Sequence, residues 1–189
     1  MLALHPRVAA DVESQILAAG GAATVVRTPE QWAEHPQAQI MAELPVVELT
    51  ALGDTQPAQL IETTVDAPLA GVRVLDLTRV IAGPVAGRTL ELWGADVLRI
   101  GSPRHPEIGW QHLNTGAGKR STLLDLDDDT DRATFEKLLE TANVVLTAYR
   151  PGSLDKFNLS PAALHYDGGP AGFLASAVAW GSSEARWLS

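Results

Sequence analysis

Between residues 72 and 147 short apolar runs alternate with amphipathic stretches, and this alternation restricts the fold more than any other property of the sequence. Residues 72–77 read as a compact apolar strand. Residues 83–93 read as a helix opened by Pro84 and stopped by Gly94, and residues 96–100 as a second strand. After a polar loop the unit repeats: a strand over 121–126, a helix over about 130–142 with Phe135, Leu138, Leu139 and Ala142 inward, and a strand over 143–147. Crossovers this short join parallel strands with right-handed connections, so the pattern predicts an α/β fold with a doubly wound parallel sheet. A short helix begun by Ser160-Pro161 and a strand from 173 to 179 follow.

The preceding sequence has a different rhythm. A helix is expected over about residues 6–19, with Val8, Val12 and Ile16 on one face and Gly20-Gly21 ending it, then a short strand at 23–26. Thr28-Pro29-Glu30-Gln31 has the form of a capping box, and His35-Pro36 restarts a short helix running to about Leu44. Residues 50–68 hold two prolines and no clear period. The expected organisation is a small helical segment at 1–49, a linker at 50–68 and a sheet domain at 69–189.

Composition narrows the function classes. With 46% hydrophobic and 20% charged residues the chain is able to bury a core, and with no cysteine it offers neither thiolate metal sites nor thiol nucleophiles. No apolar stretch approaches the roughly 20 residues of a bilayer-spanning helix, and the amino terminus lacks the apolar run of a signal peptide, so a cytoplasmic location is expected. The net charge of −9 opposes general binding of nucleic acid or anionic membrane. Yet residues 73–120 carry seven basic side chains against four acidic ones, a local excess of positive charge suited to a small anionic ligand.

In an open parallel sheet ligands sit beyond the carboxyl ends of the strands, where helix amino termini face anions. Thr78-Arg79-Val80-Ile81-Ala82-Gly83-Pro84 follows the first strand in this way, with Arg79 as a cation and Gly83 permitting close approach. It is not G-x-G-x-x-G, and no acidic residue closes the second strand, which ends Arg99-Ile100-Gly101; a nicotinamide-dependent oxidoreductase is therefore a minor alternative. Thr115-Gly116-Ala117-Gly118-Lys119-Arg120-Ser121 misses the spacing of a phosphate-binding P-loop but keeps glycines beside adjacent cations, either a phosphate grip or a solvated turn. Arg150, in Tyr149-Arg150-Pro151-Gly152, stands at the end of the fourth strand. Asp127-Asp128-Asp129 reads as a helix amino-terminal cluster, and the five histidines show no ligand spacing, so no metal is expected.

Taken in order, Val74-Leu75-Asp76-Leu77-Thr78-Arg79-Val80-Ile81-Ala82-Gly83-Pro84, Gly94-Ala95-Asp96-Val97-Leu98-Arg99-Ile100, Gly118-Lys119-Arg120-Ser121 and Tyr149-Arg150-Pro151-Gly152 resemble the class III coenzyme A transferases, the CaiB/BaiF family. Ala179-Trp180-Gly181 resembles the next landmark of that family. The resemblance implies a Rossmann-like coenzyme A-binding domain, here incomplete, in interlocked homodimers that move coenzyme A between carboxylic acids. It implies that Arg79, Ile81, Ala82 and Gly83 line the coenzyme A pocket and that Lys119 and Arg120 face its phosphates, with Arg99 and Arg150 as further binding candidates. The family nucleophile is an aspartate beyond the Trp-Gly landmark, which the sequence does not reach; Asp167 and Glu184 are not assigned that role. No catalytic residue is assigned, and an inactive, truncated transferase is expected. An acyl-CoA racemase of the same superfamily and a noncatalytic coenzyme A-binding or dimerising module remain open.

Overall fold

The computed structural model of the chain describes residues 8–45, 47, 50–51, 63–149, 152–166 and 173–176. Of the described residues, those up to 45 belong to one compact unit and those from 47 to 176 to another.

The first unit contains α1 (Ala9–Ala18), α2 (Pro29–Ala33) and α3 (Pro36–Ala42). The capping box expected at Thr28 forms: the Gln31 amide donates to the Thr28 hydroxyl at 3.3 Å and the Thr28 amide to the Gln31 side chain at 2.9 Å. The strand expected at 23–26 does not form. A strand needs a neighbouring strand for its amides, and here the Val25 amide donates instead to Glu13 Oε1 of α1 at 2.9 Å. The same carboxylate pairs with Arg27 at 2.6 Å, so α1 is stapled to the extended segment that follows it. The Arg27 hydrogen bond, with that of the Val25 amide, holds the Glu13 carboxyl down at about 2, against an ordinary 4.5.

The second unit is built on five parallel strands: β1 (Arg73–Asp76), β2 (Asp96–Gly101), β3 (Arg120–Leu123), β4 (Val144–Thr147) and β5 (Phe173–Ser176), in the order β3-β2-β1-β4-β5. The register sets Asp76 beside Arg99, and Asp76 beside Leu146 on the other flank. Helix α4 (Ala82–Leu92) joins β1 to β2, and α6 (Asp129–Leu139) joins β3 to β4. Gly94, at φ +95°, takes the left-handed turn that ends α4.

Alternate residues of the strands serve two cores, as a sheet covered on both faces requires. Leu75, Ile100, Val145 and Leu124 pack with Phe135 of α6, while Val74, Val97, Ala95 and Leu146 pack with Leu90 of α4. The loop expected between β2 and β3 contains a helix, α5 (Gly109–Thr115), whose Trp110 and Leu113 are exposed. With no inward stripe, it leaves no period in the sequence to detect. β3 is shorter than expected because Asp125 folds the chain at once into a turn, accepting from the Asp127 amide, and Asp128 caps α6. A 3-10 turn (Asp155–Phe157) and α7 (Pro161–Tyr166) precede β5.

One ion pair ties the sheet to α4. Asp76, fully buried, accepts from Lys119 Nζ at 2.8 Å and from the Thr78 amide at 3.0 Å and the Thr78 hydroxyl, while Nζ also donates to the Pro84 carbonyl at 2.8 Å. Gly87 lies over this pair; a Cβ there would stand 2.5 Å from Asp76 Oδ2 and 2.8 Å from Nζ.

Two outcomes follow for stability. Lys119→Met strands a buried carboxylate and should cost about 3–5 kcal/mol, whereas Gly87→Ala should cost about 1–3 kcal/mol through crowding; urea unfolding monitored by circular dichroism measures both. In the first unit, a carboxyl whose folded pKa is depressed stabilises fully above its unfolded value. The Glu13 contribution should therefore be present above about pH 4.5 and disappear as pH falls toward 2. Glu13→Gln should remove that part of the acid dependence, read from the helical signal between pH 5 and 2.

Candidate functional site

The strand order reverses between β1 and β4, so the crevice at their carboxyl ends is the topological switch point of the sheet. β1 delivers the chain into it through Thr78, which is 1% exposed. Gly83 packs so closely on Thr78 that a Cβ would stand 2.4 Å from the threonine Cβ, bringing the start of α4 down onto the strand. Between them Val80 sits at φ +60°, a left-handed conformation strained for a β-branched residue. This tight corner turns Ile81 and Ala82 outward, both exposed, beside Arg79.

Arg79 crosses toward the segment between β2 and α5. Its Nη2 donates to the Pro106 carbonyl at 2.8 Å, and its Nε lies 3.9 Å from Glu107 Oε1. That Nε is buried and makes no hydrogen bond among the described residues. Arg99, 4% exposed near the end of β2, forms its ion pair with the same Glu107 carboxylate. Tyr149, two residues beyond β4 and 39% exposed, feels their charges: partial burial raises its phenol above the ordinary 10, Glu107 adds to the rise, and Arg79 and Arg99 oppose it. Two guanidinium groups and one carboxylate thus meet at the carboxyl ends of β1 and β2, with Tyr149 following β4 on the same side of the sheet.

The sequence-derived candidates are divided by this geometry. Arg79, Ile81, Ala82, Gly83 and Arg99 come together at the crevice. Lys119 does not present its ammonium there; its side chain is 1% exposed and spent on Asp76 and Pro84. Arg120 begins β3 and makes a forked pair with Asp96, the first residue of β2, at 2.6 Å to each oxygen, which places its charge at the amino end of the sheet. The reason is register: Arg120 is level with Leu98, two residues along β2 from Asp96 and on the same face. Arg150, Asp167, Glu184 and the 179–181 landmark lie outside the described residues.

Glu107 and Tyr149 are members that the sequence reading did not select. Tyr149 stands inside the Tyr149-Arg150-Pro151-Gly152 motif, in which Arg150 is the charged residue. Glu107 sits in an aperiodic loop and carries no signal of its own. Among the described residues no group of three or more His, Asp or Glu side chains is arranged to hold a metal ion, and no helix is long and apolar enough to cross a membrane.

Comparison with known proteins agrees with this architecture. The family model for CoA-transferase family III matches residues 69–168, more than half of the chain. An acyl-CoA transferase of Gibberella moniliformis is 33% identical over 150 residues, covering 77% of this chain and 26% of that protein. The probable fatty acyl-CoA transferase Rv3272 of Mycobacterium tuberculosis is 36% identical over 107 residues, covering 50% of this chain and 27% of that one. A crystal structure of Rv3272 superimposes with a TM-score of 0.52 at 35% identity, covering 58% of this chain and 33% of that chain. A CaiB/BaiF family protein from Brucella suis gives 0.51 at 30% identity, covering 59% and 33%. The chain spans about a quarter of the length of these curated relatives. A parallel sheet of matching architecture, with the family match running from β1 through α7, leads to one assignment: the chain belongs to CoA-transferase family III.

Proposed function

We propose that the crevice between β1 and β4 binds coenzyme A and that the complete protein transfers coenzyme A between carboxylic acids. The observation that carries this reading is the convergence of Arg79 and Arg99 at the switch point, beside the amino terminus of α4. Coenzyme A brings several phosphate charges, and guanidinium groups bind such oxyanions through paired, charge-assisted hydrogen bonds. Ile81 and Val80, 63% and 42% exposed, offer apolar surface for the uncharged part of the ligand. On this reading Arg79 grips phosphate, Gly83 allows close approach, and Lys119 acts by fixing Asp76 and α4 under the crevice. Arg150 is retained as a further binding residue, and Arg120 as one that aligns β3. The working enzyme is taken as a cytoplasmic homodimer, the state implied by the family resemblance.

The covalent chemistry of such a transfer needs a carboxylate that attacks the acyl-CoA carbonyl and expels coenzyme A thiolate, giving a mixed anhydride; the thiolate then attacks the enzyme's own carbonyl in it, releasing the donor acid as its carboxylate and leaving an enzyme thioester. Both carboxylates at the crevice are committed to cations, Asp76 to Lys119 and Glu107 to Arg99. We therefore assign the seat for coenzyme A to this crevice and the nucleophile to residues elsewhere.

Calorimetric titration tests the seat: coenzyme A should bind saturably, and Arg79→Met should weaken it by about tenfold or more, the worth of one hydrogen bond to a charged group. Loss of saturable binding by the unaltered chain would sink the proposal. Incubation with acetyl-CoA followed by mass spectrometry should leave Asp76 and Glu107 unmodified; a thioester on either would move the nucleophile into the crevice.

A further inference from the structure

Two buried charges at the crevice are neutralised in different ways. Asp76 and Lys119 close on each other with 0% and 1% side-chain exposure, inside the sheet and under α4. Arg99 is almost as deep, at 5%, but its partner Glu107 is 23% exposed and belongs to the connection between β2 and α5. That connection is anchored at its middle, where Arg104 pairs with Asp125 and Asp127 at 2.8 Å each. Beside Glu107 it is held by Arg79 Nη2 to the Pro106 carbonyl at 2.8 Å and by the His112 amide to the Ile108 carbonyl at 3.0 Å.

Glu107 therefore occupies the position that an external oxyanion would need. Its carboxylate pairs with Arg99 and approaches Arg79 without completing a hydrogen bond to the buried Nε of that residue. A ligand with two or more phosphate oxygens satisfies both guanidinium groups, which one monoanionic carboxylate on a short side chain does not.

We propose that Glu107 is a resident anion that keeps the Arg79–Arg99 seat closed, and that a phosphate-bearing ligand enters by displacing its carboxylate. The proposal deepens the coenzyme A reading: it rests on that reading for the identity of the ligand, while the seat itself rests on the geometry. Resident and ligand compete, so the apparent affinity for the ligand is lowered by the fraction of time that Glu107 holds the seat. Removing the carboxylate should then strengthen anion binding, the reverse of what deletion of a ligand-contacting residue does.

The experiment uses the full chain at low ionic strength, with inorganic pyrophosphate and coenzyme A as separate probes. Glu107→Gln should lower the thermal midpoint without anion, because Arg99 loses its counter-charge. Pyrophosphate should restore it, with an apparent affinity about tenfold higher than for the unaltered chain. Glu107→Asp keeps the charge on a shorter arm and guards against a failure of the Gln variant to fold; it too should bind pyrophosphate more tightly. Arg79→Met should abolish the pyrophosphate effect. Unchanged or weaker pyrophosphate binding in both Glu107 variants overturns the proposal. If pyrophosphate behaves as stated and coenzyme A does not bind, the coenzyme A reading fails and the seat stands. If coenzyme A binds indifferently to Glu107, the reading stands and the displaced carboxylate does not. If neither probe binds any form, both fall.

Discussion

Asp76 is a carboxylate with no exposed surface at the end of the central strand, and the geometry of the second unit is organised around meeting its needs. A charge removed from water has to be matched by an opposite charge and by hydrogen bonds. Lys119 supplies the first, lying along the sheet from the entry to β3, and Thr78 supplies the others. Because Lys119 also donates to the Pro84 carbonyl, the arrangement ties β1, β3 and the first turn of α4 together. The net stabilisation from such a pair is small against an apolar replacement. Its structural consequence is that α4 has one position from which all three demands are met.

That position determines the crevice. With α4 drawn down at Gly83 and Gly87, the chain between β1 and α4 has only a few residues in which to turn, and Val80 is forced to positive φ. The turn puts Arg79 at the mouth, facing the β2–α5 connection and not the solvent beyond α4. Arg99 arrives from β2 because it is the register partner of Asp76 and shares its face of the sheet. The neighbouring strands thus bring a fully buried anion and a nearly buried cation to the same level, each neutralised by a residue from outside its own strand. One neutralisation is interior; the other is made by a carboxylate on a connecting segment.

Membership of CoA-transferase family III accords with this layout, since the family match, over residues 69–168, takes in β1 to β4 and α7. The matched stretch covers about a quarter of the length of those relatives, so it corresponds to one part of their architecture. Within that part the proposed task is recognition of an anionic ligand. Two arginines, the start of α4 and a partly exposed apolar corner suit that task, and neither committed carboxylate suits nucleophilic attack.

The sequence by itself determined the α/β class, the order of the strands from β1 to β5 and the capping box at Thr28, and it marked the Thr78–Pro84 loop as a candidate site. These depend on local signals: apolar runs, the Gly-Pro corner and the rule that ligands meet the carboxyl ends of parallel strands. It did not reveal α5, whose apolar residues face outward, nor the fate of residues 23–26, whose amides are met by a side chain from α1. Tertiary structure alone decided how the charges are spent. Lys119 and Arg120 are adjacent in sequence, yet one reaches the buried Asp76 and the other the Asp96 at the sheet's amino end, because successive side chains of an extended chain leave on opposite sides. Glu107 acquires its importance in the same way: nothing in residues 102–108 marks it, and only the fold brings it between Arg79 and Arg99.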